Sequence, residues 1–482
     1  MMDARRFIRV WHLQSELVER GDMLGILILA AGQGTRMRSE VPKVLHPLCG
    51  RPMVFYALDA VNGLSDLPPV LVVGHGAEEV RRAVGEAVTY VEQREQRGTG
   101  HAVLQARPAL EGRVDEVLIL YADMPLLTGE TLRRVVDVRR SARAVLSILT
   151  VVAEDPRGFG RVVRGPDGGV ARIVEEADAT EAERAIRELN AGVYACDAAW
   201  LWAHLPALPL SRKGEYYLTD LVEMAAEEGQ RVVAVAADDP TEALGINNRV
   251  HLAEAEALLR RRINRRWMEA GVTMIDPQTT YIEPTVTIGP DTVIWPNTIL
   301  RGRTAVGRGC HLGPHALIED SVIGDRCRVV ASVVEGAVME AGSDVGPFSH
   351  LRPGAHLGPG AHVGNFGEVK NAYLGPGAKM GHFSYVGDAG VGAGANIGAG
   401  TVTCNFDGRQ KHRTEIGEEA FIGSGTMLVA PVRVGRRAVI GAGSVVTHDI
   451  PDDTVAYGVP ARERGKREGT DPSHTEAQRH KK

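Results

Sequence analysis

Short apolar runs punctuate the first half of the chain, and each ends in small or polar residues. "LGILILAA" from Leu24, "PPVLVVGHG" from Pro68, "DEVLILYAD" from Asp115 and "ARAVLSILTVVA" from Ala142 read as buried strands. Stretches with helical patterning separate them, at 53–63 and 77–84. Strands alternating with helices predict an α/β, Rossmann-like domain with a mostly parallel sheet covered on both faces. Ligands of such sheets sit beyond the carboxyl ends of the strands. The loops at 30–37, 74–76 and 121–125 are therefore where chemistry is expected.

Later the period changes from two and 3.6 to six. Val345, Leu351, Leu357 and Val363 fall at six-residue steps, with Val306 and Leu312 starting the series earlier. Met380 and Val386 keep the step, and Val391 and Ile397 resume it after a one-residue slip. Ile416, Ile422, Leu428, Val434, Ile440 and Val446 then run without interruption. This is the hexapeptide pattern of a parallel β-helix, with aliphatic residues pointing into a narrow prism and small residues at its corners. Three hexads make a coil, so 345–363 is one turn. "TVTCNFDGRQKHRT", 401–414, breaks the step and is expected to leave the prism as a loop.

Between the two patterns, "HLAEAEALLRRRINRRWMEAG" lacks proline and is rich in helix formers, predicting a connecting helix. The organisation expected is an N-terminal extension (1–22), an α/β domain (23–248), the connecting helix (249–271), the hexapeptide domain (272–464) and a disordered polar tail (465–482).

Bulk composition narrows the function. A net charge of −6 gives no broad basic field, so the arginine run of the helix reads as a solvated face and no nucleic-acid role is expected. Five cysteines without C-x-x-C spacing favour neither a disulfide framework nor a zinc site, which fits a reducing, cytoplasmic setting. "MMDARRFIRVWHLQSELVERGD" has no signal-peptide core, and no run reaches the length of a membrane span, so no membrane insertion is expected.

The first loop carries the first chemistry. In "ILILAAGQGTRM" a buried run drops into Gly-x-Gly-Thr-Arg. It lacks the third glycine of a dinucleotide fingerprint and the Gly-Lys-Ser/Thr of a P-loop. Gly32 and Gly34 let the backbone approach phosphate closely, while Arg36 and Lys43 supply positive charge beside it. With "PKVLHPLCGRPM" following, the stretch resembles the signature of sugar-nucleotide pyrophosphorylases. The resemblance implies nucleotide contacts at Leu29, Ala30, Ala31, Gly32, Gly34, Lys43 and Tyr121, and catalytic roles for Arg36 and Lys43. It places Gln93, Gly98 and Thr99 of "EQREQRGTGHA" at the uracil, and Gly160, Glu175 and Asn190 at the sugar. Asp123 of "YADMP" and Asn247 of "EALGINNR" become ligands of Mg²⁺, a hard cation that takes few protein oxygens beside substrate phosphates. Glu176 reads as a solvated neighbour of Glu175, and "GEYYLTD" (214–220) receives no role. The implied reaction is in-line attack of a sugar-1-phosphate oxygen on UTP. Its nucleophile is already an anion, so positioning and charge neutralisation suffice.

Polar residues of the hexapeptide half concentrate between Arg352 and Phe406. Hexapeptide prisms resemble a family of acyltransferases, left-handed β-helices that work as trimers with active sites between neighbouring prisms. The stretch "LRPGAHLGPGAHVGNFGEVKNAYLGPGAKMGHFSYVGD" resembles the acetyltransferase half of the bifunctional N-acetylglucosamine-1-phosphate uridyltransferases / glucosamine-1-phosphate acetyltransferases. That resemblance implies Arg352, Lys370, Tyr385 and Asn396 as glucosamine-1-phosphate contacts. It implies Ala399, Asn405, Phe406, Ser424 and Ala442 as acetyl-CoA contacts. His382 becomes the general base, because the substrate amine must lose a proton before attacking the thioester and histidine titrates near neutrality. Phe406 stands where a tyrosine is common, and "AYGVPARER" offers Arg462 or Arg464 but no clear match for a terminal arginine. The expected protein is a bifunctional, Mg²⁺-dependent enzyme making UDP-N-acetylglucosamine from UTP, acetyl-CoA and glucosamine-1-phosphate, as a homotrimer. The rival reading is a single-activity pyrophosphorylase whose β-helix is only a trimerising or regulatory scaffold.

Overall fold

A computed structural model describes residues 23–466, so the N-terminal extension and the tail from 467 onward lie outside the described residues. The chain divides into two compact units at Leu258/Leu259.

The first unit is built on a nine-stranded sheet. Its main order is Val232–Ala236, Leu146–Val152, Glu188–Asp197, Glu116–Tyr121, Leu24–Ala30, Val70–Val73, Thr89–Glu92. Every pairing along that order is parallel except those of Glu188–Asp197, which runs antiparallel to both neighbours. All seven residues of Leu24–Ala30 are buried, because alternate side chains serve different cores. Leu24, Ile26, Ile28 and Ala30 pack on one side with the helix Val54–Val61, and Leu27, Leu29 and Ala31 on the other with the helix Thr99–Gln105. A strand covered on both faces loses the polar alternation of a half-exposed one, which is why it reads as a continuous apolar run. The helix Gly129–Ala142 shows how local sequence sets the ends. Thr128 caps it by accepting from Thr131 N, and Arg143 in a left-handed turn (φ 48°) closes it.

The second unit is a left-handed parallel β-helix of hexapeptide repeats. Three sheets of 12, 10 and 9 strands form its faces. Val345, Val363, Met380, Ile397, Ile422 and Ile440 stack in the 12-stranded sheet. Leu351 and Val369 stack in the 10-stranded sheet, and Leu357, Leu374, Val391, Ile416 and Val434 in the 9-stranded one. Val345 to Val363 is one turn. Shortened coils lose their residue on passing from the 10- to the 9-stranded sheet, at the corners held by Asn371 (φ 45°) and Asp388 (φ 47°). Short polar side chains of this type tolerate the left-handed region.

The expected loop at 401–414 is shorter than its broken period suggests. Residues 401–404 do not leave the prism: Val402–Cys404 is a strand, and Thr403 pairs with Leu428 in an inward position. Threonine matches valine in shape, and its hydroxyl is satisfied inside by accepting from Gly387 N (2.8 Å) and donating to Gly387 O (3.0 Å). A search for aliphatic residues passes over it. The excursion is 405–413, pinned by a bridge between Phe406 and Lys411. The helix Arg249–Glu269 precedes the first coil, onto which Asn264 donates to the carbonyls of Pro277 (2.8 Å) and Thr280 (3.0 Å). At the other end the strand Ala461–Lys466 folds back on Thr454–Gly458, so Gly465 and Lys466, expected in the tail, belong to this hairpin.

Candidate active sites

From the central strand Leu24–Ala30 the sheet grows outward on both sides, and its carboxyl end opens into a cleft with two lobes. Thr99, Tyr121, Asp123 and Glu215 line both lobes and form the waist. Leu29, Ala30, Ala31, Gly32, Lys43, Gln93 and Gly98 line the first, and Gly160, Glu175, Asn190 and Asn247 the second. Only Gly34 and Arg36 among the expected positions of this half lie outside the two linings. Gly34 has φ 64°, and a Cβ there would come 2.7 Å from Lys43 Cβ, so its role is to let the Lys43 turn pack close. Arg36 is exposed on the short turn Thr35–Met37.

Hydrogen bonds fix the first lobe. Gln93 is buried and donates through Nε2 to Gly98 O (3.0 Å), and Gln96 donates to Ala31 O (2.6 Å). In the second lobe a bulge between Asn190 and Tyr194 re-aims the antiparallel strand, and Asn190 Nδ2 donates to Tyr194 Oη (2.6 Å). Glu175 accepts from the Thr219 hydroxyl (3.0 Å), while burial raises its pKa. Burial and the nearby Glu175 push Asp220 up to about 6, and burial raises the Tyr121 phenol well above its ordinary value. Glu176 is not merely solvated, because it pairs with the fully buried guanidinium of Arg161.

No motif assigns a role to 214–220, yet Glu215, Tyr217 and Thr219 line the second lobe. No local pattern could have found them. They arrive because Gly100 N donates to Tyr216 O (2.9 Å) and Leu218 N to the Thr99 hydroxyl (3.0 Å), the second bond joining residues 119 apart.

At the waist Lys43 pairs with Asp123 and donates to Asn247 Oδ1 (2.9 Å). A carboxylate and an amide oxygen from distant stretches thus converge on one cationic point. Among the described residues no group of three or more His, Cys, Asp or Glu could hold a metal alone. Two hard oxygens suit a cation whose remaining positions are filled by phosphate and water, so the donor set fits Mg²⁺.

In the second unit the coil register aligns the expected residues. Two positions after the stacked Met380, Ile397, Ile422 and Ile440 come His382, Ala399, Ser424 and Ala442, one above another along a single corner. Rungs ~4.8 Å apart put His382 and Ala442 about 14 Å apart along a strip of small side chains. His382 is exposed and has no hydrogen-bond or ion-pair partner among the described residues. On the adjoining face, the 10-stranded sheet, Arg352, Lys370 and Tyr385 lie on successive coils. Arg352 donates to Glu368 (2.9 Å). The positive charges of Lys411 and Arg352 lower the pKa of Lys370, marking a cluster of three cations suited to an anion. Lys411 was not anticipated, because it sits in the 405–413 excursion and meets the others only through the fold.

The opposite corner of that face carries a polar stack. Asp388 accepts from Asn371 Nδ2 (2.6 Å) and from Asn405 Nδ2 (2.5 Å), and Asn405 Nδ2 also lies 3.4 Å from Tyr385 Oη. Asn405 and the exposed Phe406 are therefore separated from Ala399, Ser424 and Ala442 by the width of the face. Asn396 lies on the 12-stranded sheet, around the His382 corner from Arg352, Lys370 and Tyr385.

Comparison with known proteins gives matches in both units. Residues 26–193 match the MobA-like NTP transferase domain, and 285–320 and 413–448 match the bacterial transferase hexapeptide repeats. The chain is 48% identical over 431 residues to a bifunctional protein GlmU of Heliobacterium modesticaldum, covering 89% of this chain and 94% of that one. It is 46% identical to the bifunctional protein GlmU of Halalkalibacterium halodurans, covering 89% and 95%, and 47% identical to that of Brevibacillus brevis, covering 91% and 95%.

Proposed function

The chain belongs to the GlmU family of bifunctional proteins, and from that premise we propose which residues carry each of its two chemistries. It is a uridyltransferase and an acetyltransferase, using UTP and acetyl-CoA, and its final product is UDP-N-acetylglucosamine.

Uridylyl transfer belongs to the two-lobed cleft. The first lobe takes UTP, with Gln93 at the base, and the second takes N-acetylglucosamine-1-phosphate, with Glu175 and Asn190 at the sugar. The sugar phosphate oxygen bonds to the α-phosphorus as the bond to pyrophosphate breaks. Lys43 at the waist and Arg36 at the loop tip neutralise the phosphates, and no general base is required. Asp123 and Asn247 would hold Mg²⁺, which when bound neutralises phosphate charge at the waist. The observation that carries this assignment is the meeting of Lys43, Asp123 and Asn247 between the lobes.

Acetyl transfer belongs to the prism. Arg352, Lys370 and Lys411 take the phosphate of glucosamine-1-phosphate, with Tyr385 beside its sugar. His382 accepts a proton from the amine, the amine nitrogen bonds to the acetyl carbon, and the CoA thiolate leaves. The strip Ala399–Ser424–Ala442 lets an extended CoA arm lie along the corner. Asn396 faces away from the cation cluster, so a sugar reaching both needs a second copy. That supports a homotrimer through the β-helix, as do the exposed Phe348, Phe366 and Phe383 along the same corner. A β-helix serving only as a scaffold would have no use for this constellation. Cys196, Cys310, Cys327 and Cys404 as free thiols fit a reducing, cytoplasmic setting.

One coupled assay tests the reading: glucosamine-1-phosphate, acetyl-CoA, UTP and Mg²⁺, with each omitted in turn. Pyrophosphate is expected only when all four are present, or when N-acetylglucosamine-1-phosphate replaces the first two. Full turnover without a divalent cation would remove Asp123 and Asn247 from a metal site. Absence of CoA release with glucosamine-1-phosphate would remove acetyl transfer from the prism.

A further inference from the structure

We propose that Arg249 is a positioning residue for nucleotidyl transfer, an inference that rests on the uridyltransferase reading of the cleft. The Gly-rich loop carries its two cations on two separate short turns, Arg36 on Thr35–Met37 and Lys43 on Lys43–Leu45. Each turn closes on its own backbone bonds. Met37 N donates to Gly34 O (2.8 Å) in the first, and Leu45 N to Pro42 O (2.9 Å) in the second. Those bonds fix neither turn against the other, and residues 38–41 between them are exposed.

Arg249 spans the gap. Its Nε donates to Met37 O (3.3 Å) at the end of the first turn, and its Nη1 reaches Nδ1 of His46 (3.3 Å) at the end of the second. His46 N in turn donates to Lys43 O (3.3 Å). Two residues before Arg249, Asn247 accepts from the Lys43 ammonium (2.9 Å). Residues 247–249 therefore grip the loop at three points, while Arg249 itself lines neither lobe. A guanidinium only donates, so Nδ1 of His46 must accept and the ring must be neutral with its proton on Nε2. Burial, with the charge of Arg249 second, lowers the His46 pKa in agreement. A planar fork bridging two acceptors in different directions is a task for arginine and not for lysine. Arg36 and Lys43 are thereby held in one relative geometry before UTP arrives.

The test compares Arg249→Ala and Arg249→Lys with the native chain in both reactions. In Arg249→Ala, kcat for uridylyl transfer should fall about 10- to 100-fold, with a much smaller change in the KM for UTP. Added methylguanidinium should restore part of that kcat, and Arg249→Lys should resemble the alanine variant. Acetyl transfer should stay at the native level in both, and an unchanged far-UV circular dichroism spectrum should report that the α/β unit still folds. Native kcat in either variant, or a loss that methylguanidinium does not relieve, would overturn the proposal. Absence of uridylyl transfer in the native chain would instead overturn the reading on which it rests.

Discussion

Replacing Gly387 by alanine tests the role of Tyr385 with little disturbance to the prism around it. Gly387 lies outside the left-handed region, so its backbone accepts an alanine, and its N–H keeps its bond to the Thr403 hydroxyl (2.8 Å). The new Cβ would stand 2.2 Å from Tyr385 Oη and 2.5 Å from Cζ. Ordinary contact begins near 3.4 Å, so the ring must withdraw by roughly 1 Å or turn away. A misplacement of ~1 Å at a substrate contact costs up to about 100-fold in rate. Acetyl transfer should accordingly fall between about 10- and 100-fold in kcat/KM for glucosamine-1-phosphate, a loss of about 1.4–2.7 kcal/mol in transition-state stabilisation. The assay is release of the CoA thiol at varied glucosamine-1-phosphate, with pyrophosphate release from UTP and N-acetylglucosamine-1-phosphate as the control. Acetyl transfer within twofold of native would refute the placement of Tyr385 against the sugar. A parallel loss of both activities would mean that the chain as a whole had failed to fold.

Asp123→Asn should reduce uridylyl transfer by at least about 100-fold while leaving acetyl transfer unchanged, read by pyrophosphate and CoA release on one preparation. His382→Gln should do the reverse, with acetyl transfer falling by about 10²- to 10⁴-fold, the range for loss of a general base. Asp220 gives a prediction about stability and pH. Its folded pKa, about 6, lies above the ordinary 3.8, so its contribution is fully present below about 3.8 and is lost as pH rises through 6. Asp220→Asn removes that dependence. In urea titrations the variant should match the native chain near pH 3.5 and exceed it above pH 7 by order of 1 kcal/mol, after discounting for solvent screening of a half-buried group. Equal stability at pH 8 would show that Asp220 is not held in its neutral form by the fold.

Most of the architecture, and candidate residues for both sites, can be read from local patterns along the chain. The apolar runs located the strands flanking the cleft, because strands buried on both faces carry no competing polar pattern. The six-residue period located the prism, because each inward position admits only a side chain that fits a narrow interior. The motifs singled out Gly32, Lys43 and Asp123, which the fold gathers at one cleft, and His382, which it leaves exposed on the prism. Three further matters depend on how the chain folds. Thr403 took an inward place once Gly387 satisfied its hydroxyl, which a period counted in aliphatic residues cannot register. Lys411 joined Arg352 and Lys370 because an excursion from one corner returned beside coils written some forty to sixty residues earlier. Glu215, Tyr217 and Thr219 entered the second lobe, and Arg249 the loop, through hydrogen bonds between segments 119 to 212 residues apart. The physical reason is common to all three. Periodicity and motif report what a residue does with its near neighbours in the chain, whereas these groups act through partners that only the folded backbone brings within 3–4 Å.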